Sequence, residues 1–221
     1  MSVSHTVQQG DSVISLSEVY GLFASTIWDH PDNSALRQRR PDMNVLMPGD
    51  VVVIPDKRLR MEKRPTGARH TFRRKGIPAL FRLQVYYLHI PCANQRYKLI
   101  VDGVTLEGTT NAQGIVEQYV PALSKVGELI IGEDSVRIQL LFGQLDPTDE
   151  LVGVQKRLNN IGYDCGTPDG TLNEQTQNAL MLFQREHNLK ESGEADSATL
   201  ELIDKIHNNP YAYPDPTGGA A

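Results

Sequence analysis

The chain has 221 residues, of which 39% are hydrophobic and 22% are charged, so its composition is that of a folded protein and excludes a disordered tail. This length fits one or two domains, or three small modules. No apolar run approaches the ~20 residues that cross a bilayer. The opening MSVSHTVQQG lacks the basic and apolar regions of a secretory signal. We therefore expect no membrane span and a protein that is cytoplasmic as synthesised.

Positive charge is concentrated in one short segment. Residues 57–75 carry nine basic residues and one acid, a charge of +8, in a chain whose net charge is −5. Because this run contains Pro65 and Gly67 and lacks apolar periodicity, we predict a linker over residues 57–79. Nucleic-acid binding by this run is a weaker alternative, since Phe72 is its only aromatic residue. The remaining segments are acidic: residues 1–56 (−4), 76–149 (−3) and 150–221 (−6).

Residues 1–56 predict the order β-α-α-β, with the first and last strands able to pair antiparallel. A Gly-Asp-Ser turn after the first strand is typical of a helix start, and Pro48-Gly49 makes a turn before the last strand. The predicted strands are His5–Val7 and Val51–Ile54, and the predicted helices run from Asp11 or Ser12 to Gly21 and over Ala24–Trp28.

Three separated segments, HTVQQGDSV, VYGLFASTIW and LMPGDVVVIP, resemble in this order the opening strand and turn, the helices and the closing strand of a LysM domain. LysM domains bind glycans that contain N-acetylglucosamine, in a shallow groove between the first and last loops. The alternative is a module that binds a protein, because residues 29–45 are longer than the usual connection and their arginines favour a cationic surface. By position, the resemblance implies a glycan groove formed by Gly10, Asp11, Ser12, Val13, Ile27 and Trp28.

Residues 80–145 predict antiparallel β-structure. Apolar residues alternate with polar ones from Phe81 to Tyr87, and Asp102-Gly103 within KLIVDGVTLEG is suited to a type I′ hairpin turn. Six or seven short strands indicate a small β-sandwich. The segment is similar to transthyretin-like or Ig-like inserts, which implies a spacer or docking surface without chemistry.

Residues 146–208 predict three short helices around one core, followed by an irregular Pro/Gly-rich tail over residues 209–221. The segment from VQKRL to FQREHNL resembles a three-helix peptidoglycan-binding domain, with its Gln-x-x-Leu, Gly-Tyr, Asp-Gly and Phe-Gln motifs. We expect Asp169 and Thr176 to hold the central turn together. Tyr163, Thr171, Gln184 and Arg185 are expected to border a shallow cleft. The implied peptidoglycan-binding residues are Tyr163, Asp169, Gly170, Thr171, Thr176, Gln184 and Arg185.

No catalytic motif is present in the sequence. The six histidines lack metal-ligand spacing, and neither a His-Glu-x-x-His motif nor a Gly-x-Ser-x-Gly motif occurs. Cys92 and Cys165 could pair with a histidine as nucleophiles, but lone cysteines are more often small buried hydrophobic residues. We therefore expect a non-catalytic α+β multidomain protein that needs no cofactor or metal.

These observations lead to the hypothesis of a cell-wall adaptor that binds peptidoglycan. The layout of a LysM-like module, a β-spacer and a peptidoglycan-binding module resembles that of accessory proteins of contractile injection systems of the type VI secretion or phage-tail kind. Such an apparatus would deliver the protein to the periplasm or wall. The alternative is a structural adaptor or chaperone whose modules bind injection-system or effector proteins instead of glycan.

Overall fold

The structure is a computed structural model of the chain. It describes residues 2–57, 63, 65–71, 78–87, 90–132 and 136–209. These ranges contain six α-helices and small β-sheets, in agreement with the predicted mixture of helix and sheet. They divide into two compact units, one formed by residues up to 79 with 119–124, the other by 80–118 with residues from 125 onward. No helix in the described ranges is long and apolar enough to cross a membrane. About half of the predicted basic linker, and all of the predicted C-terminal tail beyond residue 209, lie outside the described residues.

The N-terminal unit, by which we mean residues 2–57 of the first compact unit, has a first and a last strand that pair antiparallel. Val3 lies opposite Ile54 and Thr6 lies opposite Val51, which is the pairing that the order of elements predicts. The elements are β1 (Val3–Thr6), α1 (Val13–Tyr20), α2 (Ala24–Trp28), a 3-10 turn (Pro31–Asn33), α3 (Ser34–Arg39) and β2 (Val51–Ile54).

Helix α1 begins with a reciprocal cap. The Ser12 hydroxyl accepts a hydrogen bond from the Ser15 amide at 3.1 Å, while the Ser15 hydroxyl accepts one from the Ser12 amide at 2.9 Å. These two bonds satisfy amides that have no partner inside the helix. The helix ends at Gly21, which has a left-handed backbone (φ 62°). Ser12 and Gly21 therefore act as the sequence predicts.

Residues 29–45 fold back onto this unit as the 3-10 turn and α3. The Asn33 amide group donates to the carbonyls of Ile27 (2.7 Å) and Val53 (2.8 Å) and accepts from the Val53 amide at 2.8 Å. Arg40 is only 5% exposed, and its Nε donates to Asp50 Oδ2 at 2.9 Å. The charge of Arg40 therefore faces inward and is neutralised, so the prediction of a cationic surface is wrong for this residue.

The described residues between 78 and 141 form β-structure that belongs mainly to the second unit. The strands are β3 (Pro78–Gln84), β4 (Tyr86–Tyr87), β5 (Ile90–Pro91), β6 (Arg96–Val101), β7 (Val104–Thr109), β8 (Ile115–Pro121), β9 (Val126–Ile131) and β10 (Val136–Leu141). Four of them form one sheet in the order β10-β9-β6-β7, and two further two-stranded sheets pair β3 with β8 and β4 with β5. The type I′ turn is confirmed, because Asp102 and Gly103 both have positive φ (49° and 78°) and join β6 to β7. The sandwich arrangement stays a prediction.

The C-terminal module consists of three helices, α4 (Leu151–Asn160), α5 (Glu174–Glu186) and α6 (Ser197–Asn208). Their apolar faces meet in one core around Leu158, Leu180, Phe183 and Ile203, all 0% exposed. Long loops between short helices leave much backbone without helical hydrogen bonds, so side chains must satisfy it. The side chains that do so define the candidate site.

Candidate functional site

A buried glutamine in α4 holds the turn between α4 and α5. The side chain of Gln155 is 0% exposed. Its Oε1 accepts hydrogen bonds from the amides of Asp169 (3.0 Å) and Gly170 (2.8 Å). Its Nε2 donates to Thr171 O and Thr176 Oγ1, both at 3.0 Å, and to Asp169 Oδ1 at 3.2 Å. One amide group therefore fixes the turn to both helices.

A second glutamine does the same for the turn between α5 and α6. Gln184 is also 0% exposed, and its Oε1 accepts from the amides of Ser192 (2.9 Å) and Gly193 (3.0 Å). Its Nε2 donates to Glu194 O (2.9 Å), Thr199 Oγ1 (3.0 Å) and Ser192 Oγ (3.2 Å). The two turns are thus copies of one arrangement.

Each turn ends in a capped helix. Asn173 Oδ1 accepts from the Thr176 amide at 2.8 Å, and Asp196 Oδ1 accepts from the Thr199 amide at 2.9 Å. This bond with Thr199 lowers the pKa of Asp196, because a donated hydrogen bond favours the carboxylate. The hydrogen bond from the Thr171 amide lowers the pKa of Asp169 in the same way.

The structure confirms the turn-holding roles predicted for Asp169 and Thr176. It corrects two other expectations, since Tyr163 is 4% exposed and Gln184 is fully buried. The Tyr163 hydroxyl donates to Glu186 Oε2 at 2.7 Å, and its ring meets Phe183 edge to face at 5.2 Å. These side chains therefore do not border a surface cleft, because both are already committed to the core and its polar contacts. Four predicted residues, Asp169, Gly170, Thr171 and Arg185, are exposed.

An open groove of about 650 Å³ lies along α5, beside the loop that follows α4. The exposed side chains along it are mainly carboxylates and carboxamides, with an apolar strip formed by Leu182 (36% exposed) and the largely buried Ala179 (5%). These residues were not predicted from the sequence, although those on α5 are spaced three or four positions apart, which is a signal for a shared helix face. The groove is lined by Gly162, Asp164, Asn173, Glu174, Gln175, Asn178, Ala179 and Leu182.

In the N-terminal unit, half of the predicted glycan residues lie in the core. Val13 and Ile27 are 0% exposed and Trp28 is 9% exposed. Their side chains face inward and pack with Leu16 and with Val52 of β2 in one apolar core. The prediction that they line a groove is corrected: Trp28 packs beneath residues 29–45, and Arg37 donates to its carbonyl oxygen.

The other predicted glycan residues build the loop after β1. Gly10 has a positive φ of 86°, and Ser12 caps α1. Asp11 Oδ2 accepts from the Gln8 amide at 2.9 Å and lies 3.0 Å from His5 Nε2. The Val13 amide donates to Met43 O at 2.9 Å. This last bond brings the first loop beside the loop that leads into β2, so the two loops of the implied groove are neighbours.

The cysteines are free thiols in two different environments. Cys165 is 1% exposed, and burial, with the neighbouring Asp164 carboxylate as a second cause, raises the pKa of its thiol to about 11. Burial also raises the pKa of Cys92, which is partly exposed. Cys165 is therefore the small hydrophobic core residue that was predicted. In the described ranges, no group of three or more His, Cys, Asp or Glu side chains is placed to hold a metal ion.

Comparison with known proteins assigns a class to the C-terminal module. Residues 148–203 match the family described as "Putative peptidoglycan binding domain". Over 109 residues the chain is 31% identical to the N-acetylmuramoyl-L-alanine amidase CwlM of Mycobacterium tuberculosis. That match covers 49% of this chain and 24% of the relative, so the chain spans about a quarter of the relative's length. No solved structure matches the chain significantly. The C-terminal module is thus a peptidoglycan-binding domain, which supports binding to the cell wall.

Proposed function

We propose that this protein is a non-catalytic adaptor that binds peptidoglycan through the groove along α5. The observation that carries the proposal is the coincidence of this groove with the segment that matches the peptidoglycan-binding family: all eight lining residues fall within residues 148–203. An open groove with an apolar strip and many carboxamides suits a polar polymer, because such groups both donate and accept hydrogen bonds.

The turn that Gln155 holds supports this role by making one end of the groove rigid. Asn173 and Glu174 at one end of the groove directly follow the turn that Gln155 holds. A wall that is fixed before binding loses less conformational entropy when the ligand arrives. A weak site on a repeating polymer then gains from avidity if a second site lies on the same chain.

The N-terminal unit is proposed as that second, weaker glycan site. Its support is the LysM-like order of motifs and the adjacency of the loops at residues 7–12 and 43–50. The competing role is binding to a protein, and it is favoured by two large apolar side chains that are exposed in this unit, Val19 (60%) and Phe23 (77%).

The absence of catalysis is also part of the proposal. The amidase name belongs to a relative of which the match covers 24%. The Cys165 thiol, with a pKa of about 11, is almost fully protonated at neutral pH and is a poor nucleophile. Incubation of the protein with purified sacculi should release no soluble muropeptides. Release that stops when one acid or cysteine is substituted would contradict this part.

We also propose that the protein serves a contractile injection apparatus, made in the cytoplasm and delivered to the wall. The support is the resemblance in the order of its modules, from the LysM-like module through the β-spacer to the peptidoglycan-binding module. Co-purification of the tagged protein with tail or spike components from a producing cell tests this role. A protein that fractionates only with the wall in cells lacking any such apparatus would count against it.

Sedimentation with insoluble sacculi tests the groove directly. Asn178 and Gln177 are adjacent exposed residues on α5, but only Asn178 lines the groove. Asn178→Trp should fill the groove and abolish most binding of the full chain, whereas Gln177→Trp should bind like the wild type. Equal binding by both variants would show that the polymer is held elsewhere. Gln9→Trp, at the exposed loop after β1, should weaken binding only slightly if the N-terminal unit is the lesser site.

A further inference from the structure

The groove along α5 carries negative charge that its own lining does not neutralise. Asp164 and Glu174 are both exposed at its surface, and none of its eight lining residues is Lys, Arg or His. One oxygen of Asp164 accepts a hydrogen bond from the Gly166 amide at 2.8 Å. That bond fixes the carboxylate without removing its charge.

The start of α5 does not reverse this charge. A helix N-terminus carries roughly half a positive charge, and here it is already occupied: Asn173 caps the Thr176 amide, and Glu174 lies in the first turn. Two full carboxylate charges therefore outweigh one satisfied helix end. A ligand carboxylate would be repelled, and a cation would be attracted.

The other groups in the groove suit a short peptide chain. Gln175 and Asn178 present carboxamides that pair with peptide N–H and C=O groups. The apolar strip is exposed mainly at Leu182 (36%), where it can cover the methylene groups of an extended side chain. A neutral sugar would use these groups but would gain nothing from Asp164 and Glu174.

We infer that the groove takes the ammonium-bearing part of a peptidoglycan stem peptide, the free amine of an uncrosslinked diamino acid. The inference rests on the proposed function of the same groove. The ammonium lies between the carboxylates of Asp164 and Glu174, and the carbon chain that carries it lies along Leu182. The protein therefore prefers wall with few crosslinks, where these amines are free.

Sacculi whose free amines have been acetylated provide the first test. Acetylation removes the positive charge and leaves the glycan and the peptide backbone in place. Full-length protein should bind acetylated sacculi about fivefold more weakly than untreated sacculi, the effect of losing one partly exposed ion pair. Equal binding to both preparations overturns the inference but leaves the proposed function standing. No binding to either preparation overturns both.

Two charge-neutralising variants locate the effect. Asp164→Asn with Glu174→Gln keeps the size and hydrogen-bonding oxygens of both side chains and removes their charge. This double variant should bind untreated sacculi as weakly as the wild type binds acetylated ones, with no further loss on acetylation. Glu201 is an exposed acid on α6 outside the groove. Its variant Glu201→Gln should keep the full difference in binding between untreated and acetylated sacculi. A double variant that still distinguishes the two preparations would place the amine elsewhere and refute the assignment.

Discussion

The side-chain amides of Gln155 and Gln184 make the same five kinds of hydrogen bond to two successive turns. In each case the oxygen accepts from two consecutive backbone amides, and the nitrogen donates to a carbonyl, to a threonine hydroxyl and to the first residue of the turn. The module is therefore an internal duplication of a helix and a turn. Its loops are held by buried polar groups where a larger domain would use apolar packing.

Loss of either amide should destabilise the module strongly. Gln155→Ala or Gln184→Ala leaves two backbone amides without partners, and all but the buried Gly193 amide are partly buried. Since an unsatisfied buried group costs about 1–3 kcal/mol, we expect a loss of about 2–5 kcal/mol in unfolding free energy. Hydrogen exchange of the backbone amides of α4, α5 and α6 in the full chain measures this loss of unfolding free energy. Gln177→Ala, an exposed glutamine on α5, is the matched control and should change protection little. Unchanged protection in both buried variants would contradict the structural role.

Gly153 should not tolerate alanine, although it lies inside a helix. A Cβ there would sit 2.0 Å from Pro147 O and 2.6 Å from Asp146 O. Alanine normally stabilises a helix by about 1 kcal/mol relative to glycine, but this overlap is with backbone that cannot rotate away. We expect a lower calorimetric transition temperature for Gly153→Ala. Glu201→Ala in α6 is the control. A rise in the transition temperature of both variants would show that the carbonyls of Asp146 and Pro147 move freely.

Asp50 should be the most sensitive charged residue of the N-terminal unit. Its carboxylate accepts from Arg40 Nε (2.9 Å), Arg39 Nη2 (2.7 Å) and the Met47 amide (3.0 Å). Asp50→Ala leaves the buried Arg40 charge without this partner and should cost about 3–5 kcal/mol. Arg39→Ala removes a side chain that is 58% exposed and should cost at most about 1 kcal/mol. Trp28 is the only tryptophan, so its fluorescence reports unfolding of this unit. Similar losses in both variants would contradict this ranking.

The C-terminal module should lose stability as the pH falls below the usual histidine range. Burial, the main cause in both cases, lowers the pKa of His207 and of His187 in the folded protein. At His207, the hydrogen bond with Asn208 and the Asp204 carboxylate oppose this lowering of the pKa, and the Arg157 charge adds to it. Because the unfolded chain then binds more protons than the folded protein, the contribution of the two neutral histidines to stability is fully present above the unfolded pKa of about 6.5. That contribution is lost as the pH decreases. The calorimetric transition temperature should therefore decrease as the pH is lowered from 7.5 to 5.5, and it should decrease less in His207→Gln. A steeper fall in that variant would contradict the lowered pKa.

The sequence alone was enough to predict the local elements of this protein. The cap at Ser12, the end of α1 at Gly21, the turn at Asp102-Gly103 and the turn-holding role of Asp169 depend on neighbours within a few positions. Local backbone geometry and short-range hydrogen bonds decide such features, so residue type and spacing carry the information. The paired spacing of Gly170 to Thr176 and Gly193 to Thr199 was also visible, and it marks the duplicated turn.

Only the tertiary structure decided which way the longer-range residues face. Trp28 and Gln184 belong to residue types that often contact ligands, yet here they are buried, because distant segments cover them and supply their partners. The groove along α5 likewise depends on where the loop after α4 comes to lie. Burial is a property of contacts between residues far apart in the chain, and neither periodicity nor motif spacing encodes them. For that reason the sequence pointed to the module that matches the peptidoglycan-binding family, but it placed the buried side chains of Tyr163 and Gln184 at the surface of that module.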